Sequence, residues 1–587
     1  MGRLRFGSEY ALFHPENINF IIIILLTYLW HSEKNLSLRK MMMRLKFFIL
    51  GAMILMAATF GSAQDTPVTP VTPQNLSTIL QASFEHMPLG ATKNNKQKEL
   101  LNFYKLRHYA PVWIKDGAWT EAARNVLEVM RQADGEGLWS TDYYPVAEEL
   151  MQLPLASSEA QVKGEIEFSK VVLDYIDDLF GGRLHPQRIS KELYLNPEPV
   201  DESVILHEVL QRDPSANSLQ GLTVPHPQYQ ALKKLLAQYT HQSIDEASSV
   251  LIPAGKIPKI GDKSNRIMAM RQRLANRGYL TPEQGTSQEF DAITEEALKR
   301  FQADHYLEAD GKLGERTLIM LNRSKQDEIQ QILVTMERWR WVPHDLGNRY
   351  VWVNIASYEL KAYENGQIVL EMPVIIGRNF RRTPVFTSLI DQVRFNPTWH
   401  VPSSIAIKDK LPKLRSDPAS FSAKDYVIYD EGGQVVDPVS VNWTEVDSSN
   451  FNYKLTQKPG PHNALGKIRF NIDNPFGVYL HSTPEKHLFK KVVRNFSSGC
   501  IRVGDPAALG VFVLNYPLQW PLDKVNKAME GTETRNVPVD PPVKVYLTYF
   551  TIWIDEQGKA RFYDDIYGQD ATIWRALKNT KREVKLH

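Results

Sequence analysis

The spacing of apolar residues changes period once along the chain. From about residue 96 to 245 it is helical. In "EAARNVLEVMRQADGEGL", Val126, Leu127 and Met130 share a face, and the run stops at Gly135 and Gly137. In "GEIEFSKVVLDYIDDLFGG", Phe168, Val171, Val172, Tyr175 and Leu179 align before Gly181-Gly182. No titratable constellation accompanies these helices, which read as a scaffold. A smaller unit follows at 255–325. Ile267, Met270 and Leu274 predict one helix, ended by Gly278. Ile293, Ala297 and Phe301 predict a second, and a third runs through Leu318 and Leu321 after an Asp310-Gly311 turn. From Arg349 the period becomes two. Val351, Val353 and Ile355 alternate, and Asn365-Gly366 signals a hairpin. Two more strands, joined at Glu556-Gln557-Gly558, fall within 540–570. Between 407 and 466 strand signals are few and Pro and Gly frequent, the pattern of a lid or of disorder. The fold class expected is multidomain α+β, with a β-rich domain at 349–525 and the 540–570 strands completing it.

The N-terminus changes where this body is expected to work. "MMMRLKFFILGAMILMAATFGSAQD", starting at Met41, has a basic start (Arg44, Lys46), an apolar run and a small-residue end, a secretory signal at 41–63 cleaved after Ala63. Residues 1–40 read as a misassigned start or as an extra segment; if retained, they would anchor the chain. Their run "INFIIIILLTYLW" is 13 residues, short for a membrane span. "TPVTPVTPQN" opens a proline-spaced linker at 64–95. Charge is nearly balanced, 69 basic against 67 acidic residues, so no basic excess favours nucleic acid as a partner.

Export makes the single cysteine, Cys500, conspicuous. One cysteine forms no internal disulfide, so the thiol is intermolecular, reactive or buried. Its context is "VYLHSTPEKHLFKKVVRNFSSGCIRVGD". "VYLH" reads as a strand delivering His481, and Cys500 follows 19 residues later. That separation leaves room for a turn, a short helix at 486–493 and a tight loop. A thiol needs a nearby imidazole, either to accept its proton or to stabilise the thiolate, before it attacks a carbonyl. The Ser482 carbonyl would orient the His481 ring. Gly499 would remove bulk beside the thiol, and backbone N–H groups of Gly499 and Cys500 would form an oxyanion hole. Arg502 offers a clamp for a carboxylate. Trp399 and Tyr479 are candidate cleft walls. Each residue also has a plainer reading: His481 as a core histidine, Arg502 as a structural ion pair, Trp399 and Tyr479 as core aromatics. His487 reads as surface and Asp505 as a helix cap at Pro506. One Cys with scattered His gives no metal-ligand spacing, and no cofactor is suggested.

Together, "HSTP" and "SSGCIRV" resemble the catalytic motif of the L,D-transpeptidases. "FNPTWHVPSSI" (395–405) and "QKPGPHNALGKIRF" (457–470) are similar to the larger Gram-negative branch of that family, and "FYKLRHYAPVW" (103–113) to the start of its scaffold domain. Gly261-Asp262, Gly278-Tyr279, Phe290-Asp291, Phe301-Gln302 and Asp310-Gly311 resemble the three-helix peptidoglycan-binding module. Ser498 departs from relatives in other branches that carry His before Gly-Cys, leaving His481 as the motif's base. The resemblance implies a periplasmic enzyme with a capping insertion at 407–466. Cys500 would acylate on a tetrapeptide stem with release of D-alanine, and a second stem would accept the acyl group in a 3→3 cross-link. Peptidoglycan stems are thus the expected partners, as donor and acceptor, and carbapenems the expected inhibitors. A hydrolase using the same Cys-His pair is the main alternative. A silent wall-binding protein would need neither residue.

Overall fold

The computed structural model describes residues 73–85, 95–197, 199–241, 250–514 and 519–580. All of these lie within one compact unit, Val71–His587. The export segment expected at 41–63 and the segment 1–40 lie outside the described residues.

The N-terminal helical region is organised around helix Ser158–Phe180, which is buried on nearly all sides. Val126, Met130, Phe168, Val171, Tyr175 and Leu179 share its core. The linker expected at 64–95 contains a helix, Pro73–Glu85, whose Leu76, Leu80 and Phe84 are buried in that core. Their i, i+4, i+8 spacing was masked by the prolines before them. Inside the core, Glu165 accepts the backbone N–H groups of Val112, Trp113 and Ile114 at 2.6, 2.9 and 2.9 Å. The last helix, Pro227–His241, leaves this core. Its Tyr229, Leu232 and Leu236 pack with Ile332, Trp339 and Trp352.

The small module has three helices, Asn265–Asn276, Ala292–Asp304 and Glu315–Asn322. Ile267, Met270, Leu274, Ala297, Phe301 and Leu321 form its core. Ile293, expected on the buried face, is 53% exposed. The inward stripe runs instead through Thr294, Ala297, Leu298 and Phe301, the i, i+3, i+4, i+7 set that packs on the module's core, and Ile293 falls at the edge of that face.

Helix Lys325–Arg340 joins the parts. Its Gln331 amide donates to the Thr551 and Tyr563 carbonyls. Glu337 accepts the Leu184 N–H at 2.9 Å. Arg340, 1% exposed, pairs with Glu337 at 3.0 Å and donates to the Leu179 carbonyl and the Tyr229 hydroxyl.

The C-terminal domain is a sheet that closes on itself. Its strands are β1 (Arg349–Asn354), β2 (Glu359–Glu364), β3 (Gln367–Gly377), β4 (Val385–Phe395), β5 (Ile468–Ile472), β6 (Leu480–His481), β7 (Ile501–Val503) and β8 (Arg535–Thr548). They pair in the order β5-β6-β7-β3-β2-β1-β8-β4, and β4 pairs back to β5. The β2–β3 turn is Asn365-Gly366, with φ of 50° and 78°, the left-handed pair that two-residue hairpins require. Leu193–Tyr194 of the scaffold extends this sheet by pairing in parallel with the start of β4.

The insertion at 407–466 is neither irregular nor structureless. Helices Leu411–Ser416 and Ala419–Ala423 and strands Tyr426–Tyr429 and Lys454–Gln457 build a subdomain with its own core of Trp399, Leu414, Phe421, Ile428, Trp443 and Leu455. The elements are too short to display a clear period, so the sequence conceals them. Asn463 ties the return to the departure: its side-chain amide donates to the Pro397, Gln457 and Lys458 carbonyls.

Candidate active site

Strand register assembles the site. Side chains directly opposite one another on paired strands leave the same face of a sheet, and alternate residues share it. Leu480 lies opposite Ile501 and Phe470, and His481 opposite Arg502 and Arg469. Leu480, Ile501 and Phe470 point into the barrel core and are fully buried. Arg469, His481 and Arg502 therefore form a row on the other face. Tyr479 and Cys500 lie just before the Leu480–Ile501 pair, on that same face. All five line one cavity of about 980 Å³ between barrel and cap, with Trp399 on the cap side.

His481 is 5% exposed. Its Nδ1 meets the Ser482 carbonyl at 2.5 Å. Burial, helped by the positive charges of Arg502 and Arg469, pushes its pKa down to about 3. The Ser482 and Leu465 carbonyls oppose that shift without cancelling it. The imidazole is therefore neutral at physiological pH. Of the two roles open to it, proton acceptor and charged partner of a thiolate, the ground state suits the first. Ser482 is itself held by Gly466. A Cβ at that glycine would stand 2.5 Å from the Ser482 Oγ, and its φ is +63°. The end of the cap insertion thus runs so close to Ser482 that only a glycine fits there.

Cys500 is half-buried. Burial pushes its thiol up, while the Tyr479 backbone and hydroxyl and the Arg469 and Arg502 guanidiniums pull it down. Its sulfur lies 3.9 Å from the Gly477 carbonyl. Cys500 immediately precedes β7 and His481 ends the neighbouring β6, and both side chains line the cavity floor.

The loop that carries the thiol is pinned from three sides. Ser497 Oγ donates to the Cys500 carbonyl at 2.5 Å and accepts the Gly499 N–H at 3.1 Å. Thr383 Oγ1 donates to the Gly499 carbonyl at 2.8 Å and accepts the Gly377 N–H at 2.9 Å. Tyr567, from the C-terminal segment, donates to the Gly377 carbonyl at 2.6 Å. Gly499 is required for a reason other than bulk. A Cβ there would meet only the Arg382 carbonyl, at an ordinary 3.5 Å, but its φ is +120°. Its N–H is taken by Ser497, so of the two backbone donors expected for an oxyanion hole, Gly499 is occupied.

Arg502 is ion-paired with Glu485 at 2.6 Å. Tyr479 is half-buried under the Arg469 guanidinium, 4.1 Å above its ring. Trp399 is 7% exposed, and the Lys410 ammonium lies 5.1 Å from its ring. His487 is exposed on the 3-10 helix Lys486–Lys490, shorter than the helix expected at 486–493. Asp505 accepts the Ala508 N–H and caps helix Pro506–Leu514. Sequence reasoning missed Arg469, Thr383 and Gly466. Alternation along "KIRF" places Arg469 opposite Ile468 and Phe470, the one available signal; Thr383 and Gly466 act through contacts 116 and 16 residues away, to Gly499 and Ser482, that no local pattern encodes. Among the described residues no cluster of His, Cys, Asp and Glu could hold a metal ion.

A closed β-sheet that sets a cysteine and a histidine on one cavity floor has the arrangement that thiol-dependent enzymes require. Comparison sharpens this. Residues 348–526 match the L,D-transpeptidase catalytic domain, 98–236 a scaffold domain and 263–321 the domain described as "Putative peptidoglycan binding domain". The chain carries an L,D-transpeptidase catalytic domain together with scaffold and peptidoglycan-binding domains. A "Putative L,D-transpeptidase" of Haemophilus influenzae is 38% identical over 251 residues, 43% of this chain and 50% of that protein. The chain thus matches about half the length of that relative. Two solved structures are also similar: an L,D-transpeptidase fragment from Xylanimonas cellulosilytica (14% identity, 50% of this chain and 98% of that one, TM-score 0.16) and an L,D-transpeptidase from Mycobacterium smegmatis (14%, 34% and 58%, TM-score 0.17). At those scores neither adds to the reading.

Proposed function

We propose that this protein is an L,D-transpeptidase that forms 3→3 peptidoglycan cross-links in the periplasm. The observation that carries the reading is the placement of Cys500 and a neutral His481 on one face of adjacent strands, inside a cavity within the matched catalytic domain. The cavity suits an anionic peptide: nine Lys and Arg side chains line it against two carboxylates, Asp409 and Glu485. The periplasmic assignment rests on the export pattern at 41–63.

In the first half-reaction His481 takes the thiol proton as sulfur attacks the carbonyl carbon of the third stem residue. The C–S bond forms, and the Cys500 N–H and the Tyr479 hydroxyl are the donors beside the developing oxyanion. The C–N bond to D-alanine breaks, and the imidazolium returns its proton to the leaving amine. In the second, an acceptor amine attacks the thioester. A new C–N bond forms, C–S breaks, and the amine's proton passes through His481 back to sulfur. The cap and its packed core would exclude water from the thioester.

The test is to incubate the purified chain with tetrapeptide stems and weigh the products. Cross-linked dimers lacking one D-alanine are expected. Trimmed monomers alone would establish the hydrolase instead. Turnover by Cys500→Ala would overturn the nucleophile. A carbapenem is expected to add its mass to the wild type and not to Cys500→Ala.

A further inference from the structure

The arginines around this cavity are not equivalent. Arg502 is neutralised by Glu485. Arg381 pairs with Asp409, and Arg382 with Glu192 at 3.1 Å. Arg378 and Arg469 have no ion-paired carboxylate among the described residues, and of these two only Arg469 stands in the His481 row. Its Nε is buried without a hydrogen-bond partner, and its guanidinium carbon lies 4.1 Å from the centre of the Tyr479 ring. A buried Nε–H left without an acceptor is costly, and an acceptor entering the cavity would complete it. The cation–π contact positions the group over the ring while it still has N–H donors to offer an acceptor.

The position is also close to the chemistry. Arg469 is opposite His481 and reaches over Tyr479, the residue beside Cys500, and its charge is felt by the thiol. In a donor whose last peptide bond is attacked, the terminal carboxylate lies three bonds beyond the reacting carbonyl carbon, about 3–4 Å away. A carboxylate at that separation from Cys500 stays on the floor that Tyr479, Arg469 and Arg502 share, and of those two arginines Arg502 already has Glu485.

We propose that Arg469 receives the terminal carboxylate of the acyl donor and so confines the enzyme to stems whose leaving residue ends in a free carboxylate. This rests on the L,D-transpeptidase reading above and extends it to donor selection. A planar guanidinium and a carboxylate make two parallel charge-assisted hydrogen bonds. A carboxamide makes at most one neutral bond and leaves the cation uncompensated, so the site rejects it.

The experiment compares two tetrapeptide donors, one ending in D-alanine and one in D-alaninamide, by the rate at which the full chain releases the last residue. The wild type is expected to favour the free carboxylate by about 100-fold or more, as sites built around a buried polar contact do. Arg469→Gln is expected to bring the two donors to within about threefold of each other by slowing the carboxylate donor. Arg502→Gln is expected to keep the discrimination. Iodoacetamide labelling of Cys500 against pH, read by intact mass, checks the nucleophile in each variant. Equal slowing of both donors by Arg469→Gln, with the labelling midpoint moved upward, would make Arg469 a thiolate stabiliser and overturn the assignment. Undiminished discrimination in Arg469→Gln would overturn it too. A wild type that releases nothing from either donor would remove the L,D-transpeptidase reading along with this one; an active wild type whose selectivity survives the substitution removes only this one.

Discussion

Neutral His481 has two measurable consequences. Its pKa is pushed down to about 3 from an ordinary 6.5 by burial and by Arg502 and Arg469. At pH 5.5 an ordinary imidazole would be about 90% protonated; this one is under about 1%. Acylation of Cys500 by a donor stem should therefore stay level from pH 5 to 8, with no inflection near 6.5. The second consequence is for stability. Between pH 6.5 and about 3 the unfolded chain holds a proton on this ring and the folded chain does not. The contribution is complete above pH 6.5 and is lost as pH falls through that window, at about 1.4 kcal/mol per unit. From pH 6.5 to 4.5 the loss is about 2.3 kcal/mol. Other buried histidines, His226 and His305, are shifted in the same direction, so the comparison must be between proteins differing only at 481. Urea unfolding of the wild type and of His481→Gln at pH 4.5 and 7 isolates the term: the glutamine variant should lack that share of the acid loss. Single-turnover acylation, followed by intact mass across the same range, reads the rate. An acid limb centred near pH 6.5, or identical pH dependence of stability in the two proteins, would refute a desolvated, neutral imidazole.

Four further outcomes are expected. Gly466→Ala forces a Cβ into Ser482 at a left-handed φ and should displace His481, cutting acylation by more than tenfold while circular dichroism stays native; unchanged acylation would separate the cap from the base. Gly499→Ala should cost about 1–3 kcal/mol in loop strain and slow iodoacetamide labelling of Cys500 at fixed pH. Arg340→Ala leaves Glu337 buried without its partner and should destabilise the protein by about 3–5 kcal/mol in urea, with Arg340→Met less harmful when combined with Glu337→Gln. Leu414→Ala opens the cap's own core at a cost of about 2–5 kcal/mol, which amide exchange should register in 403–457 and not in β1 or β8.

The chain's local physics settled much of this protein. Period alone separated helical from β-rich regions, because 3.6 and 2 leave different apolar spacings in the chain. Asn365-Gly366 fixed a hairpin, since few residue pairs accept two positive φ angles. "HSTP" and "SSGC" singled out a candidate nucleophile and base, because a lone thiol after a glycine and an imidazole at a strand end are chemically conspicuous. Phase was less secure: Ile293 has helical spacing with Ala297 and Phe301, yet the face that packs runs through Thr294 and Leu298 and leaves it 53% exposed. Where long-range contact decides, the sequence was silent. The cap's elements are too short for periodicity, so only its closed core reveals a folded subdomain. That His481 is neutral follows from burial and from two arginines brought alongside by strand pairing. That Gly499 needs its conformation rather than its small size follows from a loop held by Thr383 and Ser497. And the contrast between Arg502, which has an acid of its own, and Arg469, which has none, exists only once three strands are in register. Residue type states what a group can do; its neighbours in space decide its charge, its orientation and whether it is free to act.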